Sequence, residues 1–465
     1  MPRLQISHTL AQPPAPSGAS ENPAAHPTHW SAGAEGWQPG SHACTESATP
    51  PWDHLTLGLA LARTLCKSPT LRQALANVAE QTAGLELEEI AGLPRWNASA
   101  EYSGARNFNS SGSYGRTAAA SVGLSWVLFD FGQRNAQLQA ARQTLSAALS
   151  NQSNTVLESV RDMLRLYGEA VVAHAGLEAS TEAENTASRT ADAAVARYQA
   201  QVGNQIERLQ AQTALAQATL ERFRALSRWE TARGNLALAL GADITQALRL
   251  VDWEAWVHSA GDSSAFAELQ REAREQHPRT RAAMAQIQSL QARLSAAQAE
   301  NKGSVSVSAS AGSSRNWGAA GSGTTPTASA AIVASIPLFN GRESKAVENQ
   351  IVAQIQSREA ELEAVQRELD SQLWQAYQAA RTSRQALTAS ERLMDSADSA
   401  YQVAQGRYRA GVGSMLELLN AQAALADARR ERVTAQVERL TAQTQLSLAT
   451  GRVGPTQTSG PAALR

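Results

Sequence analysis

Catalysis or ligand binding needs side chains that ionise, ligate or attack, set at spacings that let them act together, and along these 465 residues they are sparse. His174, His258 and His277 each stand apart, with no second His or Cys at a ligand spacing. The other five histidines (His8, His26, His29, His42, His54) are spaced irregularly, which argues against a metal site. Cys44 and Cys66 are the only cysteines; two cannot define a disulfide framework and leave the redox compartment open. Gly312 to Gly323 is glycine-rich but flanked by strand-like sequence rather than opening a helix, so it is no phosphate loop. No nucleophile elbow occurs, and the carboxylates are spread over helix faces where solvation is the default. The reading is a protein that is not an enzyme, with no catalytic residue, cofactor or metal ligand. What chemistry remains is electrostatic and local. Ser414-Met415-Leu416-Glu417 fits a capping box, in which Ser accepts from the fourth residue's N–H and Glu reaches back. Asn204-Gln205-Ile206-Glu207 offers the same arrangement.

The elements that must carry these turns are very long. From Asp130 to Tyr198 there is no proline, and Leu138, Leu145, Leu149, Val156, Val160, Met163, Tyr167 and Val171 recur at the seam spacing of a coiled coil. As one helix this stretch spans roughly 100 Å. It is also duplicated. Leu128-Phe129-Asp130-Phe131-Gly132 aligns with Leu338-Phe339-Asn340-Gly341 at an offset of 210, and Arg197-Tyr198 with Arg407-Tyr408, Gly203 with Gly413 and Gly241 with Gly451 at the same offset. Pro69 and Pro278 differ by 209. One supersecondary unit is used twice.

Near-zero net charge and 5% aromatics give no basic stripe for nucleic acid. No apolar run approaches the roughly 20 residues of a membrane helix. Residues 1–54 read as a disordered leader with no basic start and apolar segment of a secretory signal. The first repeat covers 55–241: helix from Leu55 to about Leu93 interrupted at Pro69, strands 95–103 and 117–130 around a Gly104–Gly115 loop, a long helix 132–198 and a return helix 204–240. Residues 242–263, with Trp253 and Trp256, read as an equatorial packing insert. The second repeat, 264–451, brings strands 303–312 and 327–339 around a Gly312–Thr325 loop, a long helix 341–408 and a return helix 414–450. Residues 452–465 read as a disordered tail.

The strand segments alternate with period two. Trp96, Ala98, Ala100 and Tyr102, then Val122, Leu124 and Trp126, then Ile332, Ile336 and Leu338 share apolar faces, opposite Ser, Gly and Asn. Such strands resemble those of a membrane barrel, lipid outside and water inside, with aromatics such as Trp96, Trp126, Trp317 and Phe339 near their ends. A soluble sheet packed on a helix alternates too. Four strands cannot close a barrel and lipid tolerates no open edge, so other chains must complete it; three would give about 12 strands. The apolar helix seams need neighbours as well.

The chain resembles the TolC family of outer-membrane efflux and secretion ducts over about residues 55–451. Leu55-Thr56-Leu57 with Ser68-Pro69-Thr70-Leu71 is similar to the opening helix pair. Trp126-Val127-Leu128-Phe129-Asp130-Phe131-Gly132 and Ile336-Pro337-Leu338-Phe339-Asn340-Gly341 resemble its strand-to-helix junctions. Arg407 to Ala421 resembles its periplasmic tip turn. The resemblance implies a mainly α fold with a membrane β-barrel part. It implies a homotrimeric α-barrel topped by a 12-stranded β-barrel, with four strands per chain, in the cell outer membrane and with a large periplasmic tunnel. It implies an inner-membrane transporter and a periplasmic adaptor as partners, with outer-membrane lipid around the barrel. The exported cargo is read as protein, in the manner of type I secretion, with drug efflux by a duct of the same fold as the alternative; no residue decides between them. The resemblance also puts Glu417 and Asn420 at a pore constriction near the tip, where the better-known members carry two carboxylates, so one acidic ring is absent. It makes the turns Gln201-Val202-Gly203 and Gly411-Val412-Gly413 the docking surface, though a plain glycine turn between antiparallel helices reads the same way. Val122, Leu124, Trp126, Ile332 and Ile336 would face lipid. A soluble coiled-coil scaffold with small capping sheets is the reading of a different class, and it would tolerate charge at those positions.

Overall fold

A computed structural model describes residues 52–106, 114–251, 265–318 and 321–451. Residues 1–51, the centre of the Gly104–Gly115 loop, Trp253, Trp256, His258 and the tail after 451 lie outside the described residues. The elements run α1 Leu57–Lys67, α2 Pro69–Ile90, β1 Arg95–Arg106, β2 Tyr114–Phe129, α3 Gln133–Gln199, α4 Gln205–Ala239, α5 Phe266–Gln276, α6 Pro278–Glu300, β3 Ser304–Gly318, β4 Gly321–Ser335, α7 Glu343–Arg409 and α8 Met415–Ala449. The duplication is visible in lengths: α3 and α7 each have 67 residues, and α4 and α8 each have 35.

Proline sets the break in each opening helix pair. Pro69 and Pro278 begin α2 and α6, where a missing N–H costs nothing because the first-turn donors have no helical acceptor. Each long helix then starts after a pair of left-handed residues, Phe131 (φ 52°) with Gly132 (φ 92°) and Gly341 (φ 64°) with Arg342 (φ 76°). At the first junction the Asp130 carboxylate accepts from the N–H of Gly132 at 3.2 Å and of Arg134 at 3.1 Å, filling donors at the helix start.

The main core sits at mid-height. Leu55, Leu57, Ala60, Leu71, Met163, Tyr167, Leu236 and Leu240 are buried together, and the Tyr167 hydroxyl donates to the Leu55 carbonyl at 3.1 Å. The described part of the insert joins this core, where Leu250 forms a parallel bridge with Leu55.

Along α3 the lower seam residues Val160, Met163, Tyr167 and Val171 are buried, but the upper seam corrects the sequence reading. Leu149 is exposed, while Ala140, Ala147 and Ala148 are buried on the side where α3 meets α6, whose Ala285, Ala292 and Ala296 are buried too. Small side chains let the two backbones approach, close enough for the Ser289 hydroxyl to donate to the Ala140 carbonyl at 3.1 Å. The larger leucines are left on the flanks of this contact.

The four strands form one antiparallel sheet in the order β1-β2-β3-β4. The Gly312–Thr325 segment, expected as a loop, is instead a paired hairpin: β3 continues to Gly318 and β4 begins at Gly321, with Gly312 opposite Thr327. Glycine, serine and threonine suit a loop when read locally, but here ladder hydrogen bonds to a partner outweigh that preference. At its other end β4 stops at Ser335 rather than 339, so Ile336 lies beyond the ladder. Pro337 has no N–H for a ladder. Bare Gly303, whose added Cβ would lie 3.0 Å from the Ile336 Cα, lets the chain turn away there.

Candidate functional site

Two surfaces stand out, one at each end of the chain's long axis. The first is the sheet. Registers place Trp96, Leu124, Ala309 and Ala330 in one row, Ala98, Val122, Ala311 and Ala328 in the next, and Trp126, Val307 and Ile332 in a third. Cross-strand partners share a face, so one face is apolar from edge to edge. The other carries Ser99 opposite Ser121, with hydroxyls 2.9 Å apart, Ser310 opposite Ser329 at 2.9 Å, and Thr117 donating to Asn316 at 2.8 Å. None of the described residues covers the apolar face: Trp96 is 71% exposed and Ile332 74%. Every residue of β4, an outer strand, is exposed. Of the residues singled out from sequence, Val122, Leu124, Trp126 and Ile332 lie together on this face, and Ile336 lies just past it. The Trp126 indole N–H donates to the Gly92 carbonyl at 3.0 Å, tying the base of β2 to the segment before β1.

The second surface is the pair of helical turns. They are built alike. The Arg197 carbonyl accepts from the N–H of Val202 and Gly203, both at 3.0 Å, and the Arg407 carbonyl accepts from Val412 at 3.0 Å and Gly413 at 3.1 Å. Asn204 caps α4 by accepting from Ile206 N–H at 3.0 Å, and Ser414 caps α8 by accepting from Glu417 N–H at 3.1 Å. The capping box is closed on one side only. The Glu417 carboxylate pairs with the Arg407 guanidinium at 3.2 Å, across the turn. Glu417 and Asn420 are three residues apart on an exposed side of α8, while Met415 and Leu418 point into a small core with Ala211, Ala404 and Tyr408.

Sequence reading missed how the two turns are coupled. The Arg197 guanidinium lies over the Tyr408 ring, 5.2 Å from its centre. Burial raises the Tyr408 phenol above its usual range, with Arg197 opposing and Glu207 reinforcing. Also missed was that Ile206 and Leu416 widen the tip turns into an apolar crown. Val202 and Val412 are each 69% exposed, and Ile206 and Leu416 stand exposed one turn on. The repeat offset could have flagged those last two, since both are large apolar residues in the second helical position after a cap. Gln201 and Gly411 open the two turns in left-handed conformation, and Gly203 and Gly413 close them.

Two of the histidines, His174 and His277, have structural surroundings. His174 packs edge-on to Trp229, and the His277 Nδ1 accepts from Arg279 N–H at 3.2 Å as the cap of α6. Among the described residues no cluster of His, Cys, Asp or Glu could hold a metal ion, and no helix is long and apolar enough to cross a membrane.

A family model described as outer membrane efflux protein matches residues 60–242 and 269–452, one match for each half of the duplication. The chain belongs to the outer membrane efflux protein family. It is 30% identical over 341 residues to Protein CyaE of Bordetella pertussis, covering 73% of this chain and 72% of that one. The outer membrane protein VceC of Vibrio cholerae superposes with a TM-score of 0.70 at 17% identity, over 85% of this chain and 96% of that chain. The open-state MtrE outer membrane channel of Neisseria gonorrhoeae gives 0.72 at 20% identity, over 85% and 88%. These show a shared fold. As an outer membrane efflux protein the chain is a channel component of the outer membrane with a large periplasmic helical part, and it is not an enzyme. The TolC resemblance read from its junctions and tip turns is to this family, whose members serve tripartite efflux and secretion systems.

Proposed function

We propose that three copies of this chain form one duct, a 12-stranded barrel above a helical tunnel, that passes exported cargo from an inner-membrane transporter and its periplasmic adaptor through the outer membrane. The observation that carries this is the free-standing sheet, apolar on one face and small-polar on the other, whose outer edges, on β1 and β4, have no partner among the described residues. Open edges are excluded from lipid, so the sheet needs sister sheets to close. The helices support the same assembly: Leu149, Trp374, Leu393 and Val403 are exposed on the long helices and need neighbours to cover them. Val122, Leu124, Trp126 and Ile332, with Ile336 at the lower rim, face lipid; the Ser/Gly/Asn face lines the lumen. Val122→Arg puts a charge at mid-bilayer, where it costs about 2–4 kcal/mol per chain and abolishes the detergent-extracted oligomer, whereas Ser121→Arg on the lumen face leaves it assembled. Equal assembly of the two variants would sink the barrel.

At the opposite end, the crown of Val202, Gly203, Val412 and Gly413, with Gln201 and Gly411 shaping the turns, is the adaptor-docking surface. Glu417 and Asn420 form the constriction. Glu417 is held by Arg407, so its ring carries less net charge than an unpaired acidic ring would. Glu417→Gln lowers cation selectivity in planar bilayers while changing stability by less than about 0.5 kcal/mol, because the pair is exposed. Unchanged selectivity would remove Glu417 from the pore.

The cargo we propose is polypeptide, as in type I secretion. The wide, hydroxyl-rich sheet face offers an extended chain hydrogen bonds without strong binding sites. Deleting the gene should strip specific proteins from the culture medium and leave drug susceptibility unchanged; the reverse pattern would make this a small-molecule efflux duct.

A further inference from the structure

The apolar face of the sheet does not stay apolar to its far end. Following the same parity along each strand, Tyr102, Arg116, Arg315 and Trp317 lie on the face that carries Val122 and Ile332. Arg116 is opposite Trp317 and Arg315 is opposite Ala118, which makes the two arginines diagonal neighbours. Each guanidinium is held by an aromatic ring, Arg116 over Tyr114 at 5.1 Å from the ring centre and Arg315 over Trp317 at 5.4 Å. Gly104 has a part in this. A Cβ there would lie 2.9 Å from the Tyr114 hydroxyl, so the absent side chain lets that ring recline across the face beneath Arg116. Among the described residues neither arginine has an ion-pair partner, and the described side chains of this face include no carboxylate.

The height of the patch is telling. Ten residues of β2 separate Trp126 from Arg116. At about 3.4 Å per residue and a tilt near 40°, that is about 26 Å, close to the roughly 25 Å apolar band of a membrane barrel. With Trp96 and Trp126 at the periplasmic border, Arg116 and Arg315 lie at the level of outer-leaflet headgroups. A guanidinium fork matches a phosphate, and stacking on a ring fixes its plane.

We propose that Arg116 and Arg315, with Tyr102, Tyr114 and Trp317, form a site on the outside of the barrel that binds the phosphate groups of a lipid headgroup in the outer leaflet. The proposal rests on the lipid-facing reading of this face. The full chain is purified in detergent and reconstituted in phosphatidylcholine nanodiscs. These contain a minor share of a diphosphoryl glucosamine lipid or its dephosphorylated form. Lipid retained through a detergent wash is then quantified by mass spectrometry. Wild type should retain the diphosphoryl form at least about tenfold better, a difference that two charge-assisted contacts readily supply. Arg116→Gln with Arg315→Gln should lose the preference, and the double Lys variant should keep part of it. Equal retention of both lipids by wild type overturns the site whether or not the variants fold. So does an unchanged preference in the Gln variant, and so does displacement by inorganic phosphate, which would mean a soluble anion is the ligand. Val122→Arg separates the two ideas. If it blocks assembly while lipid preference is absent, only this site is wrong; if it is tolerated, the lipid-facing reading has failed first.

Discussion

At the kink before α2 the first half of the chain places Ser68, and at the matching kink before α6 the second half places His277. Ser68 turns to the Thr70 hydroxyl at 2.7 Å and leaves the helix uncapped by its side chain, whereas His277 is buried and caps α6 through Nδ1. At the long-helix starts, Asp130 faces Arg134 in one half, and Asn340 faces Ser344 in the other. At the tip, Gln201 (φ 62°) holds the left-handed position that Gly411 (φ 77°) holds in the second copy. Phe131 and Gly341 trade the same way, as do Gly132 and Arg342. Gly203 and Gly413 do not trade. The reason is space. A Cβ at Gly132, Gly341 or Gly411 would meet nothing within 4 Å, but at Gly203 it would lie 3.0 Å from Arg197 backbone and at Gly413 3.0 Å from Tyr408 backbone. The backbone plan tolerates a strained φ in one copy or the other; it does not tolerate a clash with backbone.

The largest test of this comparison is acid. Burial first, and the nearby Arg279 charge second, push His277 down to about 4. Its folded pKa is therefore below its unfolded value of about 6.5. Its contribution is complete above about 6.5 and is lost as pH falls toward about 4, because the unfolded chain takes up the proton first. The α6 start should lose up to about 3 kcal/mol of local stability across that window, read by hydrogen exchange of the Thr280 and Arg281 amides. The α2 start should not change in parallel, and His277→Ser should flatten the profile. A profile that survives His277→Ser would assign the pH dependence elsewhere. Next come the tip glycines. Gly203→Ala and Gly413→Ala should each cost about 2 kcal/mol, visible as faster exchange of the Val202 and Val412 amides. If either is neutral, the close approach is not what keeps glycine there. The smallest effect separates φ from space: Gly411→Gln should destabilise its turn by about 1 kcal/mol, and Gln201→Gly should stabilise the other by a similar amount. Equal signs would mean that something other than φ distinguishes the copies.

Much of the architecture is legible before any coordinates. The seam from Val160 to Val171, in steps of three and four, marks α3 because a helix returns to one face at those intervals. Pro69, Pro278 and the glycines at 203, 241, 413 and 451 mark the breaks because each removes a donor or allows a turn. The β3–β4 hairpin is illegible at its tip, since Gly312 to Thr325 has the composition of a loop and gains strand structure only from its partner. The candidate site divides similarly. Alternation reveals Val122, Leu124 and Ile332; nothing in one strand's sequence reveals that Arg116 and Arg315 are neighbours, or that Glu417 turns to Arg407.

By itself the sequence determined the repeat, the helix lengths, the two-faced strands and the turn positions, because these depend on periods and on residues that restrict φ or lack a donor. Only the tertiary structure decided which helix faces are closed by alanine rather than leucine, how far each strand pairs, and which charges meet. Those outcomes depend on how separate segments meet in space, from the adjacent strands of the β3–β4 hairpin to Ala140 and Ser289, 149 residues apart, and no local period encodes that.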